Sequence, residues 1–321
     1  ACLRSFVSRS GSDHESCAMT MCKPTVTLLV LLLLLAPLAA DAELRVSGVD
    51  RDLERNIRAY VALDDEPCDA ESWRIRRRYR SLDVDVRKAL QPFGYYRPTI
   101  ETALELGEEC WEARLDIEPG DPVLLRDIDI RIAGAAAEDP AFAELEPMGM
   151  VSGTRLRHSS YESYKQSLQI LAAERGYFDA VFTASRLDVW PDDQAADVML
   201  NFDSGHRYRI GQMRQAQDFL DPRIVEGYLD LSEGDLFDGR EIARAYRDLS
   251  NSGYFSRVEI VPEHEQAAGG TVPLRIALQP GTRIEYTVGV GASTDTGPRF
   301  RAGFRNNRLN DRGHRLVTDL N

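Results

Sequence analysis

Three helical runs, each followed by paired strand-like runs, set the pattern of apolar and polar positions along the chain. From Glu43, Leu44-Arg45-Val46 reads as a short strand, 52–63 as a helix, and 70–93 as a second helix, with Tyr79, Leu82, Val86, Leu90 and Phe93 at helical spacing. Strands at 96–106 and 111–117 follow, the polar Gly107-Glu108-Glu109 turning between them and Pro119-Gly120 ending the run. The order β-α-α-β-β then returns. Residues 123–132 alternate Ile128, Ile130 and Ile132 with charged residues. A short helix spans 141–148, a longer one 154–175 carries Tyr161, Tyr164, Leu168 and Leu171 on one stripe, and strands follow at 181–189 and 198–202. A third copy runs as a strand at 207–213 and helices at 222–231 and 238–251. In the second of these, Asp238 is placed as N-cap and Ile242, Tyr246 and Leu249 face inward; strands at 255–261 and 272–278 precede Pro280-Gly281.

One triplet punctuates every copy: Gly94-Tyr95-Tyr96, Gly176-Tyr177-Phe178 and Gly253-Tyr254-Phe255, about 80 residues apart. Glycine just past the last apolar helical position reverses the chain without a Cβ clash, and the aromatics behind it open a strand. Taken singly, each is a helix terminus with core aromatics. Repetition makes it the ruler of a tandem array whose units are joined by two-residue hinges.

Past Gly281 the period changes to two. Ile284, Tyr286, Val288 and Val290 alternate with Arg283, Glu285, Thr287, Gly289 and Gly291; Phe300, Ala302 and Phe304 alternate with arginines and Gly303; a third run starts near His314 with Leu316 and Leu320 on one face. Such strands suit a transmembrane β-barrel with lipid on the apolar face and a polar lumen, or a soluble antiparallel sheet with one face on a core. A few strands do not close a barrel, so the sequence ending at Asn321 reads as a fragment of a longer chain.

Ahead of the array, Lys23, the apolar run 25–39, Pro37 and Ala40-Asp41-Ala42 read as a secretory signal with an A-x-A cleavage site before Glu43; the alternative is an uncleaved anchor, for which the run is shorter than the roughly 20 residues of a span. Met19 or Met21 is taken as the start and residues 1–18 as upstream read-through. Expected boundaries are therefore 1–18 and 19–42 for these segments, 43–120, 121–205 and 206–281 for the three units, and 282–321 for the barrel start.

A net charge of −13 over 321 residues argues against nucleic acid as a partner. Cys2, Cys17 and Cys22 fall in the segment expected to be lost. Cys68 and Cys110 remain in an oxidising compartment, where a disulfide would close a 42-residue loop, worth ~3–4 kcal/mol in the chain-entropy picture. His158, His206, His264 and His314 are scattered without ligand spacing and read as solvated or turn residues. Gly289-Val290-Gly291 lacks the third glycine and the helix of a dinucleotide loop, and no G-x-S-x-G or S-x-x-K occurs. No enzyme chemistry, metal or cofactor is expected. Arg74, Arg76, Arg77, Arg78 and Arg80 form a basic helical face, read either as solvated and paired to nearby acids or as a contact for an acidic partner or lipid headgroups.

The segments FGYYRPTIE (93–101), RGYFDAVFTASRL (175–187), SGHRYRIG (204–211), NSGYFSRVEIVP (251–262) and above all VGVGASTDTGPRFRAGFRNNRLNDRGHRL (288–316) resemble the TamA family, the outer-membrane subunits of the translocation and assembly module and relatives of BamA. The resemblance implies an α+β fold of three tandem β-α-α-β-β POTRA domains before a sixteen-stranded barrel, of which only the first strands are present. BamA carries five such domains and two-partner secretion transporters two; those transporters, or a periplasmic scaffold, are the alternatives. Also implied are a place in the outer membrane with POTRA domains in the periplasm, and insertion of β-barrel proteins, autotransporters among them. Unfolded barrel clients, outer-membrane lipid and a TamB-like inner-membrane-anchored periplasmic protein are the partners it implies. Client strands would add at a labile seam whose first strand holds Ile284, Tyr286, Val288, Gly289, Val290 and Gly291, the glycines weakening it. The TamB-like partner would meet residues 44–46 and 96–106. The cysteine pair is a departure from the family pattern.

Overall fold

A computed structural model describes residues 43–107, 110–293 and 297–320. The signal segment and most of the Gly107–Glu109 turn lie outside them. Three β-α-α-β-β units are followed by a fourth, all-β sheet, so the fold is mixed α+β.

The first unit contains β1 (Glu43–Ser47), α1 (Arg51–Tyr60), α2 (Ser72–Leu90), β2 (Thr99–Leu106) and β3 (Trp111–Glu118). Helix α1 starts where the Asp50 carboxylate accepts hydrogen bonds from the amides of Asp52 and Leu53, two of the donors a helix N-terminus leaves open. In β3, Trp111, Ala113, Leu115 and Ile117 are buried and alternate with more exposed residues, as a strand with one face on a core requires. They meet Ile57 of α1 and Leu82, Val86 and Leu90 of α2. Burial of each large aliphatic contributes roughly 1.5–3 kcal/mol. Cys68 and Cys110 are joined, Cα 4.4 Å apart, and the indole Nε1 of Trp111 donates to the carbonyl of Glu66 at 3.2 Å beside them.

The second unit repeats the plan with β4 (Leu124–Ala133), a four-residue α3 (Pro140–Ala143), α4 (His158–Arg175), β5 (Val181–Trp190) and β6 (Ala195–Asp203). The third has β7 (Arg209–Ala216), α5 (Pro222–Leu229), α6 (Gly239–Asn251), β8 (Phe255–Pro262) and β9 (Thr271–Pro280). Sheet orders are β1-β3-β2, β4-β6-β5 and β7-β9-β8, the middle strand parallel to the first and antiparallel to the second. The last sheet, β10 (Ile284–Ser293), β11 (Gly297–Asn306) and β12 (Leu316–Leu320), is antiparallel throughout and open among the described residues.

Some expected elements shift. The helix placed at 141–148 is only the four residues of α3, because Pro147 and Gly149, the latter at φ +76°, break the run into turns. The strand opening at Tyr96 begins at Thr99, since Pro98 cannot donate to a ladder. Tyr246 does not face inward: it is 47% exposed, and Ala245 takes the core position beside Leu249. Ala245 and Leu249 pack with Val225 and Leu229 of α5 in one cluster, which turns the wheel by one residue. Asp238 does cap α6, accepting from the Arg240 amide at 2.9 Å.

Candidate functional site

Each Gly-aromatic-aromatic triplet is a joint between successive units. The glycines at 94, 176 and 253 all hold left-handed φ of +87°, +82° and +76°. At two of them the next unit presses against the missing side chain. A Cβ on Gly94 would lie 2.6 Å from the carbonyl oxygen of Leu156, and one on Gly176 would lie 2.6 Å from the Cβ of Phe237, so both conformation and close approach demand glycine. The carbonyls of Gly94 and Gly176 accept from the amides of Val123 and Tyr208, each at 2.8 Å, and that of Tyr254 accepts from Gly281 at 2.8 Å. The two-residue hinges of the sequence reading are in fact docked joints.

The first aromatic of every triplet is a tyrosine met by an arginine from the element that follows. The guanidinium of Arg155 donates to the Tyr95 hydroxyl at 2.7 Å and sits 5.3 Å from its ring centre. That of Arg207 lies 5.9 Å from the Tyr177 ring and donates to the carbonyls of Arg175 and Phe237. Arg315 lies 3.9 Å from the Tyr254 ring and donates to the carbonyl of Ser252. The arginines follow their tyrosines by 60, 30 and 61 residues, so no single spacing marks all three pairs.

The joints differ in electrostatics. Between the second and third units, Asp139 takes Arg175 and the Tyr177 hydroxyl, Arg175 reaches Asp238 at 2.8 Å, and Arg207 lies 3.9 Å from Asp139, all of them largely buried. Burial resists ionisation of Asp139, but hydrogen bonds from Arg175, the Ala141 amide and Tyr177 outweigh it and hold the carboxyl below the usual range. Asp238 is lowered likewise, burial again opposed by hydrogen bonds from Arg240. Burial, with Arg175 alongside, pushes Arg207 down. Between the first and second units the polar contact is lighter: the Tyr96 hydroxyl lies 2.7 Å from Nε2 of His158. His158 is therefore a joint residue and not a solvated turn histidine. Burial lowers its pKa, partly offset by Glu162.

The open sheet presents the expected faces. Ile284, Tyr286, Val288 and Val290 share one face of β10 and are 42–84% exposed. Across β11, Tyr286 faces Phe304, Val288 faces Ala302 and Val290 faces Phe300; Leu320 of β12 continues the apolar surface. The opposite face carries Glu285 against Arg305, Gly289 against Arg301 and Gly291 against Arg299. At its base β10 is tied in: Asn307 donates its side-chain amide to Thr282 O and Glu285, and its backbone amide to Arg283 O at 2.8 Å. Arg308 stacks 4.6 Å over Phe219 of the third unit. Toward the other end, a Cβ on Gly289 would meet nothing closer than 3.8 Å, and one on Gly291 nothing within 4 Å, so packing does not require these glycines. Strand β10 is the outer strand of its sheet, and the ladder groups along its other side have no strand partner among the described residues.

No group of three or more histidine, cysteine or acidic residues among the described residues is arranged to hold a metal, and no described helix is long and apolar enough to cross a membrane.

Residues 43–119 match the family model described as POTRA domain TamA domain 1. Among solved structures, BamA from Haemophilus ducreyi lacking POTRA domains 1–3 aligns at 15% identity and TM-score 0.50, over 61% of this chain and 36% of that one. POTRA domains 3–5 of Haemophilus influenzae BamA align at 18% identity and TM-score 0.40, over 76% and 99%. CdiB from Acinetobacter baumannii aligns at 12% identity and TM-score 0.37, over 61% and 37%. The H. ducreyi BamA likeness bears on fold alone. Fold and domain match together define the class, a chain of POTRA-type modules leading into an antiparallel sheet. The first module is similar in sequence to the first POTRA domain of TamA.

Proposed function

We propose that this chain is the POTRA region and first barrel strands of an outer-membrane assembly factor of the TamA kind, with units at 43–120, 121–205 and 206–281 in the periplasm and the barrel starting at 282. Its role is insertion of β-barrel proteins, autotransporters included, into the outer membrane. The observation that carries the reading is β10: a long outer strand with an exposed apolar face, a polar face, an open ladder edge, and two glycines that packing does not require. An unfolded client strand adds to such an edge by backbone pairing while its apolar side chains continue the lipid-facing surface. Ile284, Tyr286, Val288 and Val290 supply that surface, and Gly289 and Gly291 keep the seam labile. A TamB-like periplasmic protein docks on the first unit, where β1 and β2 are the outer strands of their sheet. The module is non-enzymatic, and its work is strand exchange. The test locks the seam: cysteine pairs joining residues 283–291 to the closing strand of the full-length protein abolish client insertion until reduced. Insertion that continues with the pairs oxidised removes the proposal.

A further inference from the structure

Helix α2 carries five arginines in its first nine residues, and only two of them, Arg74 and Arg78, are used by the fold to pair a buried carboxylate. Its first turn has no acidic residue, and Glu71 at the N-cap makes no side-chain capping bond but accepts from the Trp73 indole instead, so the arginines of the first turns add positive charge near the positive end of the helix dipole. Arg76 and Arg80, like Arg74 and Arg78, stand one turn apart, where like charges repel. Only Arg74 and Arg78 are neutralised, both by the buried carboxylate of Glu66. Arg76, Arg77 and Arg80 are exposed and have no carboxylate partner among the described residues, and Trp73 beside them is 57% exposed. The base beneath this face is rigid, since Glu66 is held by Trp111 through its carbonyl and lies two residues from the Cys68–Cys110 bridge.

We infer that Trp73, Arg76, Arg77 and Arg80 form a docking face for an acidic segment of a partner protein. Charge complementarity selects the occupant: this is a concentrated basic face on a chain of net charge −13, so it draws a short acidic segment locally while the whole molecule is repelled from an anionic membrane. The apolar side of α2, Ile75, Leu82 and Val86, is spent in the core, leaving exposed only Trp73 and Val84 among its large apolar side chains, too little surface to seat the helix in lipid. Tyr79 bonds Thr102 of β2 and Arg87 donates to the carbonyl of Pro98 just before it, so the flank holding Arg76 and Arg80 lies over the β2 side of the unit. Carboxylates of the segment take the guanidinium groups and Trp73 anchors it, the arrangement of tryptophan and arginine common at binding hot spots. This rests on the partner-docking part of the function proposed above and is independent of the β10 seam.

The test measures binding of a fluorescein-labelled ten-residue oligoglutamate peptide to the whole chain by anisotropy, alongside anionic phosphatidylglycerol vesicles. Charge reversal at Arg76, Arg77 and Arg80 to Glu weakens peptide binding about tenfold or more, Trp73→Ala weakens it separately, and the melting temperature stays level or rises as repulsion is relieved. If the reversed variant fails to fold, the three Arg→Gln substitutions replace it. Peptide binding that is absent in the parent chain or unchanged in the variants overturns the inference. So does vesicle binding that depends on these arginines when peptide binding does not, and so does a fall in melting temperature of the Gln variant, which would make the arginines structural. Loss of peptide binding with client insertion at the seam intact separates this face from the seam; failed seam locking leaves it standing.

Discussion

The Arg315 guanidinium lies 3.9 Å over the ring of Tyr254, and the Tyr254 hydroxyl donates at 2.6 Å to the carbonyl of Gly313, so the third unit and the β11–β12 loop hold each other from both sides of one aromatic ring. Replacing Arg315 with Ala removes the ring contact and the bond to Ser252 O, together worth about 1–2 kcal/mol. Lysine restores part of this, having charge without the planar fork. Spin labels at Arg247 and Arg299 report the change as a broadened distance distribution in the Ala variant; a distribution as narrow as the parent's contradicts the role given to Arg315.

Asp139 is the keystone of the second joint. Asp139→Ala takes the shared carboxylate from Arg175, Arg207 and the Tyr177 hydroxyl; Arg175 keeps Asp238, so Arg207 and the Tyr177 hydroxyl are the groups left uncompensated, at a cost of about 1–3 kcal/mol. Calorimetric unfolding shows a lowered transition for the second and third units. The companion Asp139→Ala/Arg207→Met recovers part of the loss, because the charge left without a carboxylate is gone. Recovery of nothing would mean that packing around Asp139, and not charge, holds the joint.

Acid loosens the first joint before the second. Burial lowers the pKa of His158, so its imidazole prefers to be neutral when packed against Tyr96. The stability it contributes is full above the unfolded value of about 6.5 and is lost as pH falls through the lower folded value. Asp139 and Asp238 are also lowered, and their contribution is full above about pH 4 and lost only below it. Fluorescence energy transfer across each joint, followed from pH 7.5 downward, separates the two steps. In His158→Gln the first step vanishes; if it persists unchanged, another group drives it.

Filling the seam glycines tests whether they are there for weakness. Gly291→Val meets no atom within 4 Å of the new Cβ and Gly289→Val only the Arg301 Cβ at 3.8 Å, so both variants fold. Valine in place of glycine adds about 1 kcal/mol of strand preference. Client insertion by the full-length protein slows severalfold in the double variant while heat-modifiable mobility on gels is retained. Unaltered insertion would separate the glycines from the lability of the strand.

Much of the architecture was written in periodicity. The three helix-to-strand corners at Gly94, Gly176 and Gly253 and the alternation of β10 and β11 needed no tertiary information, because a helix stop and a one-sided strand are local devices. Tyr246 misled because the inward face of α6 is set by contact with α5, which periodicity at one-residue resolution does not register. The joints were half legible. Their tyrosines stood in the repeat, but Arg155, Arg207 and Arg315 enter from separate elements, and Asp139, just before Pro140, belongs to no motif. His158 had no ligand spacing to mark it, and its bond to Tyr96 spans 62 residues.

In each of the three units the strand synthesised last is the one on which both others depend. Neither β1 nor β2 has a ladder partner until β3 arrives, and the same holds for β6 and β9. A nascent unit emerging amino-end first therefore has no sheet until its final ten or so residues appear, and closes in one cooperative step when they do. Strand β10 is of the other kind, since β11 follows it directly and pairs along its whole length. A chain that completes its own modules only at the last strand, then offers a hairpin with one side open, finishes its three α/β units before exposing the edge that could capture them.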